Sequence, residues 1–194
     1  LLKKIMTNKL EIEKKYYIKN TTVEYLSQII EKIGAEYVGD SKQRDIYFNV
    51  PGRNSLISKE CLRIRVSGAK KEITYKPPTE ESNMNNGFFA KKEVNLPIRD
   101  IEMAKILLLD IGCTILVEVK KTRKEYRLDK FKIFIDNVQN IGLFIEIEIM
   151  DISNNIQKGI SGIDELIKRL NINNYIVKNK PYRDIVIERE KGGM

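Results

Sequence analysis

The sequence contains no histidine among its 194 residues. Histidine supplies the usual general base at neutral pH, the relay partner of serine and cysteine nucleophiles, and a ligand in most zinc sites. Its absence removes these options, so any catalysis would rest on carboxylates, lysines, arginines and hard metal ions.

Cysteine and long apolar runs are also scarce. The two cysteines, Cys61 and Cys113, form no CxxC motif and stand beside apolar residues, which favours buried thiols in a reducing cytosol and a cytoplasmic location. No run of about 18 apolar residues occurs, so no membrane span is expected. Residues 1–6 are too few for a signal peptide, and Met6 is a candidate start of the natural chain.

Basic residues outnumber acidic ones. Lys and Arg number 35 and Asp and Glu 27, which gives a net charge of +8 and favours an anionic partner: nucleic acid, a membrane surface or a phosphorylated small molecule. The bases are spread along the chain beside many acids, and this argues against a simple clamp for a polyanion. The length suits one domain, and we expect residues 1–194 to form it.

Alternation of apolar and polar residues predicts mostly strands. The predicted strands are 10–18, 44–48, 61–67, 72–76, 88–96, 116–122, 124–128, 131–138 and 143–150. Helices are predicted over 22–33, 101–111 and 163–170, with a short one after Pro181. The first helix has Thr21 or Thr22 as its N-cap and ends at Gly34. The second has Asp100 as its N-cap and ends at Gly112. The polar segment 77–87 is predicted to be a mobile loop.

Two parts of the chain follow the same order of elements. Strand 10–18, the first helix, Gly34-Ala35 and strand 44–48 correspond to strand 88–96, the second helix, Gly112-Cys113 and strand 123–128. This weak internal repeat predicts two strand–helix–strand halves built into one sheet system.

Charged residues fall on one face of most predicted strands, because alternate side chains of a strand point the same way. Glu11, Glu13 and Lys15 share a face in the first strand, while Leu10 and Ile12 take the other. One interpretation is an ordinary antiparallel sheet with a solvated outer face. The other is a barrel whose charged faces line a polar tunnel, where bases neutralise phosphate oxygens and carboxylates hold Mg²⁺ or Mn²⁺.

Short motifs extend this pattern along the chain. Glu-x-Glu-x-Lys at 11–15 is followed by Asp-Ile-Tyr-Phe-Asn at 45–49, Leu-Arg-Ile-Arg at 62–65, Thr-Tyr-Lys-Pro at 74–77, Lys-Lys-Glu at 91–93, Lys-Thr-Arg at 121–123, Asp136, Gly-Leu-Phe-Ile-Glu-Ile-Glu at 142–148 and Lys-Pro-Tyr-Arg-Asp at 180–184. In this order the motifs resemble those of the CYTH superfamily of triphosphate tunnel metalloenzymes, and the class IV adenylyl cyclase branch in particular. Lys91 stands where many members have arginine, and Pro181 where the cyclase-like branch has serine.

The resemblance implies an α+β fold, in which a closed eight-stranded antiparallel β-barrel forms a tunnel with helices packed outside. The implied Mg²⁺ or Mn²⁺ ligands are Glu11, Glu13, Asp136, Glu146 and Glu148. The implied triphosphate-binding residues are Lys15, Arg63, Arg65, Lys76, Lys91, Lys121, Arg123 and Tyr182, and the implied catalytic residues are Glu11, Glu13, Lys15, Lys76, Lys121 and Arg123. For Lys91 and Arg65 a solvated position stays an alternative. The lysines expected at the outer surface are Lys14, Lys92, Lys120 and Lys124.

Two reactions are consistent with the resemblance. In a class IV adenylyl cyclase, the ribose 3′-hydroxyl of ATP attacks the α-phosphorus, and 3′,5′-cyclic AMP and pyrophosphate form. An inorganic tripolyphosphatase or thiamine triphosphatase would hold its substrate in the same way and direct a metal-activated water at a terminal phosphorus. An apolar purine pocket would favour the cyclase, and Tyr47, Phe48 and Tyr182 are candidates for it.

Other functions have less support. A nucleic-acid-binding barrel would expose aromatic platforms, but aromatics make up 8% of the chain, and paired carboxylates would repel a phosphate backbone. We therefore expect neither nucleic acid nor a membrane as a partner. A non-catalytic polyphosphate sensor is a further alternative, and the cyclase branch suggests a homodimer by analogy.

Overall fold

A computed structural model describes residues 10–78, 89–91, 93–151, 156–178 and 180–192, with the backbone alone for 10, 11, 89–91, 150, 151 and 156. This part of the chain contains ten strands and five helices. The strands are β1 Leu10–Ile18, β2 Glu36–Asn49, β3 Cys61–Ser67, β4 Lys70–Lys76, β5 Phe89–Lys91, β6 Val94–Pro97, β7 Thr114–Leu128, β8 Phe131–Val138, β9 Gly142–Asp151 and β10 Tyr175–Lys178. The helices are α1 Val23–Lys32, α2 Ser55–Ser58, α3 Ile101–Asp110, α4 Ile156–Arg169 and α5 Tyr182–Glu190.

The strands form one antiparallel sheet in the order β10–β1–β9–β8–β7–β2–β3–β4–β6, and β5 also pairs with β1. Only residues 92 and 93 separate β5 from β6, which pairs with β4. The chain therefore links β1 to β4, near the two ends of the strand order, and the sheet curves around a concave face.

The predicted closed eight-stranded barrel is corrected, although the α+β class and the large antiparallel sheet are confirmed. The described strands form an open path of nine, with β5 beside it, and no closed ladder. The reason is that two separate strands occupy this part of the chain. β5 pairs with residues 11–13 of β1, whereas β6 pairs with β4, so β1 and β4 are not joined by one strand. The remaining edge of β1, residues 15–18, pairs with β10, a short strand that the sequence did not predict.

Most predicted elements are present with changed bounds. The strands predicted over 10–18, 61–67 and 131–138 have the predicted ends. β2 begins at Glu36 instead of residue 44. The prediction missed residues 36–43 because they are mostly exposed and lack apolar alternation. β7 joins two predicted strands into one, and the strand predicted over 88–96 is divided between β5 and β6. Most of the loop predicted over 77–87 lies outside the described residues.

The two predicted halves correspond to β1–α1–β2 and β5/β6–α3–β7, and the long strands β2 and β7 pair with each other where the halves meet. Both helices begin in the same way. The Thr22 hydroxyl accepts a hydrogen bond from the N–H of Tyr25, and the Asp100 carboxylate accepts one from the N–H of Met103. These caps satisfy backbone donors that have no partner within the helix.

The helices cover different parts of the sheet. α1 and α4 pack on apolar side chains of β1, β8 and β9, and α3 packs on those of β2 and β3. α5 lies instead against the concave face, where Tyr47, Val117 and Phe144 contribute to its apolar contact. The concave face is thereby closed at one end. None of the helices in the described ranges combines the length and the apolar character that a membrane crossing needs.

Gly34→Ala and Gly112→Ala are expected to destabilise the protein to different degrees. Both glycines follow a helix with a positive φ, 88° and 91°, which costs a residue with a side chain about 1–2 kcal/mol. A Cβ at Gly34 would meet nothing within 4 Å, whereas a Cβ at Gly112 would lie 3.2 Å from Cγ of Pro51. We expect Gly34→Ala to lower the free energy of unfolding by about 1 kcal/mol and Gly112→Ala to lower it further. Urea unfolding measures both, and equal losses would contradict the importance of the Pro51 contact.

Candidate active site

The concave face of the sheet encloses a cavity of about 510 Å³. Charged side chains line it because they occupy alternate positions on the strands. The lining includes Glu13, Lys15, Arg63, Arg65, Lys76, Glu93, Lys121, Arg123, Glu146, Glu148 and Tyr182. The charged faces therefore point inward, which decides between the two interpretations of the alternation.

Two predicted site residues cannot be placed at the level of side chains. Glu11 and Lys91 are opposite each other in the ladder between β1 and β5, but only their backbone is described. Their assignments as metal and triphosphate ligands stay predictions.

The lysines that were expected at the outer surface differ among themselves. Lys120 is exposed and Lys124 is partly exposed, whereas Lys92 lies outside the described residues. The prediction that Lys14 is a surface charge is wrong, since the residue is 8% exposed and its Nζ lies 2.8 Å from Oδ1 of Asp164 on α4. α4 begins before the predicted start at residue 163 and covers this part of the outer face.

Three carboxylates meet in the cavity. Glu13 on β1 and Glu146 and Glu148 on β9 offer oxygens that all lie within 4.8 Å of one another. The strand register produces this group, because Glu13 is opposite Glu148 and Lys15 is opposite Glu146. Carboxylate oxygens are the donors that hard divalent cations prefer. The group therefore fits Mg²⁺ or Mn²⁺.

Lys15 helps to hold two of these acids, Glu13 and Glu146, in their charged form. Its Nζ lies 2.5 Å from Oε1 of Glu13 and 2.9 Å from Oε2 of Glu146. Burial raises the pKa of Glu13, but the charge and hydrogen bond of Lys15 together with the charge of Lys76 outweigh it, and the pKa lies below its ordinary value. Burial also opposes ionisation of Glu146, yet Lys15 and Arg123 hold the pKa of Glu146 well below its usual range. Both carboxylates are therefore ionised at neutral pH, which is the form that binds metal.

Asp136 on β8 is completely buried and binds three donors. Its carboxylate accepts hydrogen bonds from Nζ of Lys121 at 2.8 Å, from Nε and Nη2 of Arg123 at 2.6 Å each, and from the hydroxyl of Tyr182 at 2.8 Å. Arg123 also donates from Nη2 to Glu146 at 2.8 Å. Asp136 is not part of the three-carboxylate group. In this structure its carboxylate positions Lys121, Arg123 and Tyr182, and its assignment as a metal ligand stays a prediction.

Lys121 holds its proton less tightly than an ordinary lysine. Burial and the adjacent positive charge of Arg123 lower the pKa of Lys121 to about 8, although Asp136 opposes this shift. At neutral pH the ammonium group still predominates and can donate to a phosphate oxygen.

Asp45 on β2 holds the two arginines of β3. Its carboxylate accepts hydrogen bonds from Nε of Arg65 at 2.7 Å and from Nη2 at 2.6 Å, while Nη1 of Arg63 lies 3.5 Å away. The Tyr47 hydroxyl donates to Asp45 and accepts from Arg63. Nε of Arg63 is buried and has no hydrogen-bond partner within the described part of the chain. Arg63 therefore retains a donor for an additional acceptor.

Lys76 on β4 pairs with Glu93, which lies between β5 and β6. Their Nζ and Oε2 atoms are 2.6 Å apart. Burial raises the pKa of Glu93, but Lys76, Arg63 and Asn95 together outweigh it and bring the pKa to about 2. Sequence reasoning gave no role to Glu93 or Asp45, because their partners depend on strand register. The motif at 45–49 was the only sequence feature that pointed toward Asp45.

Arg183 anchors α5 at the end of the cavity. This buried guanidinium donates to the backbone carbonyls of Glu60 at 2.7 Å and Ser55 at 3.0 Å. The ring of the preceding Tyr182 consequently lies near two bases, with its centroid 5.4 Å from Nζ of Lys15 and 4.6 Å from Nζ of Lys121. Sequence reasoning did not select Arg183, although it lies within the C-terminal motif.

The candidates for a purine pocket are mostly buried. Phe48 has no exposed surface and packs in the core beneath α3. Tyr47 is 4% and Tyr182 is 6% exposed, and both hydroxyls are hydrogen-bonded to acids. The cavity is therefore suited first to phosphate groups and metal.

Comparisons with known proteins agree with this geometry. The family model of the CYTH domain matches residues 9–180. Over 177 residues the chain is 30% identical to a protein of Methanocaldococcus jannaschii named "Putative adenylate cyclase MJ0240". The matched region covers 90% of this chain and 96% of that protein.

Solved structures show the same fold. The PH1012 protein of Pyrococcus horikoshii OT3 has a TM-score of 0.73 at 28% identity, with 90% of this chain and 98% of that chain covered. HpAC1 of Hippeastrum, described as a "putative adenylyl cyclase" with a dominant triphosphatase activity, has a TM-score of 0.66 at 15% identity, with 95% and 97% covered, and so shares the fold alone. Because the family model spans most of the sequence, the chain belongs to the CYTH family, whose enzymes act on triphosphates with divalent metal ions.

Proposed function

We propose that the protein is a metal-dependent enzyme that converts ATP to 3′,5′-cyclic AMP and pyrophosphate. The observation that carries this proposal is the presence, in one cavity, of the carboxylates of Glu13, Glu146 and Glu148 and the bases of β1, β3, β4 and β7. Membership of the CYTH family supports a triphosphate as the substrate, and the name of the M. jannaschii relative favours cyclisation.

The bases would bind the phosphate chain by charge-assisted hydrogen bonds. In the described structure Lys121 and Arg123 contact Asp136, and Arg65 contacts Asp45. These acids hold the bases in place before a substrate arrives, so little side-chain entropy would be lost on binding. Each hydrogen bond that involves a charged group contributes about 1.5–3 kcal/mol.

The three-carboxylate group would hold a divalent cation, which lowers the pKa of an attacking hydroxyl and neutralises phosphate charge. In the cyclisation, ribose O3′ forms a bond to the α-phosphorus, the bond from that phosphorus to the bridging oxygen of the β-phosphate breaks, and the hydroxyl proton is lost. Lys121 and Arg123 would orient the phosphates and stabilise the departing pyrophosphate.

Hydrolysis of a terminal phosphate is the second candidate, as in an inorganic tripolyphosphatase or thiamine triphosphatase. The environment of the aromatic rings in the cavity favours hydrolysis, because these rings already contact cationic side chains and are less open to adenine. The guanidinium of Arg123 lies 3.8 Å from the centroid of Phe134, and the Tyr182 ring lies beside Lys121. An open apolar face for adenine is therefore missing from the described lining.

Product analysis separates the two reactions. With Mn²⁺ or Mg²⁺, the purified protein is expected to convert ATP to cyclic AMP and pyrophosphate, which chromatography and a pyrophosphate assay detect. Release of orthophosphate from tripolyphosphate, with no cyclic AMP from ATP, would establish the second candidate instead. Failure to turn over either substrate with either metal would contradict both.

Glu13→Gln and Glu146→Gln should each lower turnover by about 100-fold, because each replaces a charged metal ligand by a neutral amide. Both should also reduce the rise in unfolding temperature that Mn²⁺ produces in the wild type, a measurement that does not depend on activity. Glu118→Gln is the matched control, since this β7 carboxylate pairs with Arg44 and Lys120 outside the cavity. If Mn²⁺ stabilised the two cavity variants as strongly as the wild type, the metal assignment would be wrong.

Lys121→Met should weaken the binding of tripolyphosphate by about 10- to 100-fold, because it removes one charge-assisted hydrogen bond. Its neighbour provides the control. The side chain of Lys120 is 55% exposed and pairs with Glu118 on the opposite face of β7, so Lys120→Met should leave affinity unchanged. Isothermal titration calorimetry gives both values. Equal losses from the two variants would place the anion outside the cavity.

A further inference from the structure

The cavity reaches solvent at the end opposite α5. Tyr47 on β2 and Cys61 on β3 belong to the apolar contact with α5. Gln43 and Ser67 also line the cavity and are opposite each other in the ladder between the same two strands. Gln43 lies about 13 Å farther along β2 than Tyr47, since a strand rises roughly 3.3 Å per residue. Next to this pair, the side chain of Lys70 on β4 is 67% exposed.

Two buried hydrogen-bond acceptors lie at this end. Nε2 of Gln43 donates to Oγ of Ser41 at 3.2 Å, while Oε1 of Gln43 is buried and has no hydrogen-bond partner within the described part of the chain. Glu72 is 4% exposed, and Nζ of the surface residue Lys70 lies 2.8 Å from its carboxylate. A buried acceptor without a donor is unfavourable. This end is therefore suited to a ligand that carries donors.

The two acceptors stand beside bases that are proposed to bind phosphate. Gln43 is opposite Lys121 in the ladder between β2 and β7. Glu72 is opposite Arg65 in the ladder between β3 and β4. Side chains of opposite residues in an antiparallel pair lie about 5 Å apart. Ionised phosphate oxygens are acceptors themselves, and the charge of Glu72 repels them. The phosphate chain would therefore end beside these bases, and the group attached to it would contact the acceptors.

We propose that these residues form a sugar subsite (Ser41, Gln43, Ser67 and Glu72) for the ribose of a nucleoside triphosphate, in which Oε1 of Gln43 accepts a hydrogen bond from a ribose hydroxyl. This inference rests on the proposed nucleotide substrate. The ribose follows the α-phosphate directly, so its hydroxyls reach Gln43 when the phosphates contact Lys121. Recognition through the sugar requires no apolar face for the base, and it would favour a nucleotide over inorganic tripolyphosphate.

Isothermal titration calorimetry with Mn²⁺ present tests the subsite. The ligands are α,β-methylene-ATP, whose bridge resists cyclisation, its 2′,3′-dideoxy counterpart, and tripolyphosphate. The wild type is expected to bind the ribose form about 10-fold more tightly than the dideoxy form, because the latter lacks the hydroxyl donors. Gln43→Leu should weaken binding of the ribose form by about 10-fold and leave the affinities for the dideoxy form and tripolyphosphate unchanged.

Two further variants make the result specific. Gln43→Glu retains an acceptor, so it should retain the preference for the ribose form, although its charge weakens the binding of all three ligands. Gln139→Leu is the matched control, since this glutamine is exposed and does not line the cavity, and it should change none of the affinities. Circular dichroism verifies that each variant is folded.

Three results would overturn the sugar subsite. They are equal affinity of the wild type for the ribose and dideoxy forms, an unchanged preference in Gln43→Leu, and an equal loss of tripolyphosphate binding in that variant. A wild type that binds tripolyphosphate but neither nucleotide would also overturn it and leave the metal–triphosphate site intact. A wild type that binds none of the ligands would contradict the proposed function and the subsite together. Binding of the ribose form without formation of cyclic AMP from ATP would contradict cyclisation alone.

Discussion

A buried charge needs a partner, and the architecture of the cavity follows from this requirement. Removing an isolated ion from water costs several kcal/mol even after relaxation, yet Asp136 is completely buried. It is tolerated because Lys121, Arg123 and Tyr182 all donate hydrogen bonds to it. The same requirement explains Lys15 among the carboxylates. Acids and bases must therefore face each other across neighbouring strands, and only a limited set of strand registers allows it.

The internal repeat provides this arrangement. Pairing of β2 with β7 joins the halves. Although burial opposes it, the two arginines of β3 lower the pKa of Asp45, and Lys121 of the other half adds a smaller contribution. The carboxylates suited to metal lie on β1 and β9, and most of the bases lie on β3, β4 and β7. α5 closes one end through Arg183 and brings Tyr182 to Asp136. The acids proposed for metal and most of the bases proposed for phosphate thus lie on different strands of one curved sheet.

The sequence predicts the parts of this structure that depend on local pattern. Alternation located β1, β3 and β8, and most charged positions of these strands, though not Lys14 of β1, belong to the cavity face. Caps and terminal glycines located α1 and α3. The sequence alone does not predict which acid pairs with which base. Glu93 meets Lys76 only because the chain crosses from β1 to β4, and Asp136 binds bases because of its register against Arg123. Short or exposed elements, such as β10 and the first half of β2, lack the alternation of apolar and polar residues that locates a strand. The roles of Glu11 and Lys91 stay predictions.

Anomalous diffraction from crystals grown with Mn²⁺ and tripolyphosphate tests most directly whether the paired charges form a metal–triphosphate site. The expected result is a manganese peak among the carboxylates of Glu13, Glu146 and Glu148, with phosphate density that faces Lys121 and Arg123. A manganese peak away from these carboxylates, or tripolyphosphate bound only on the outer face of the sheet, would contradict it.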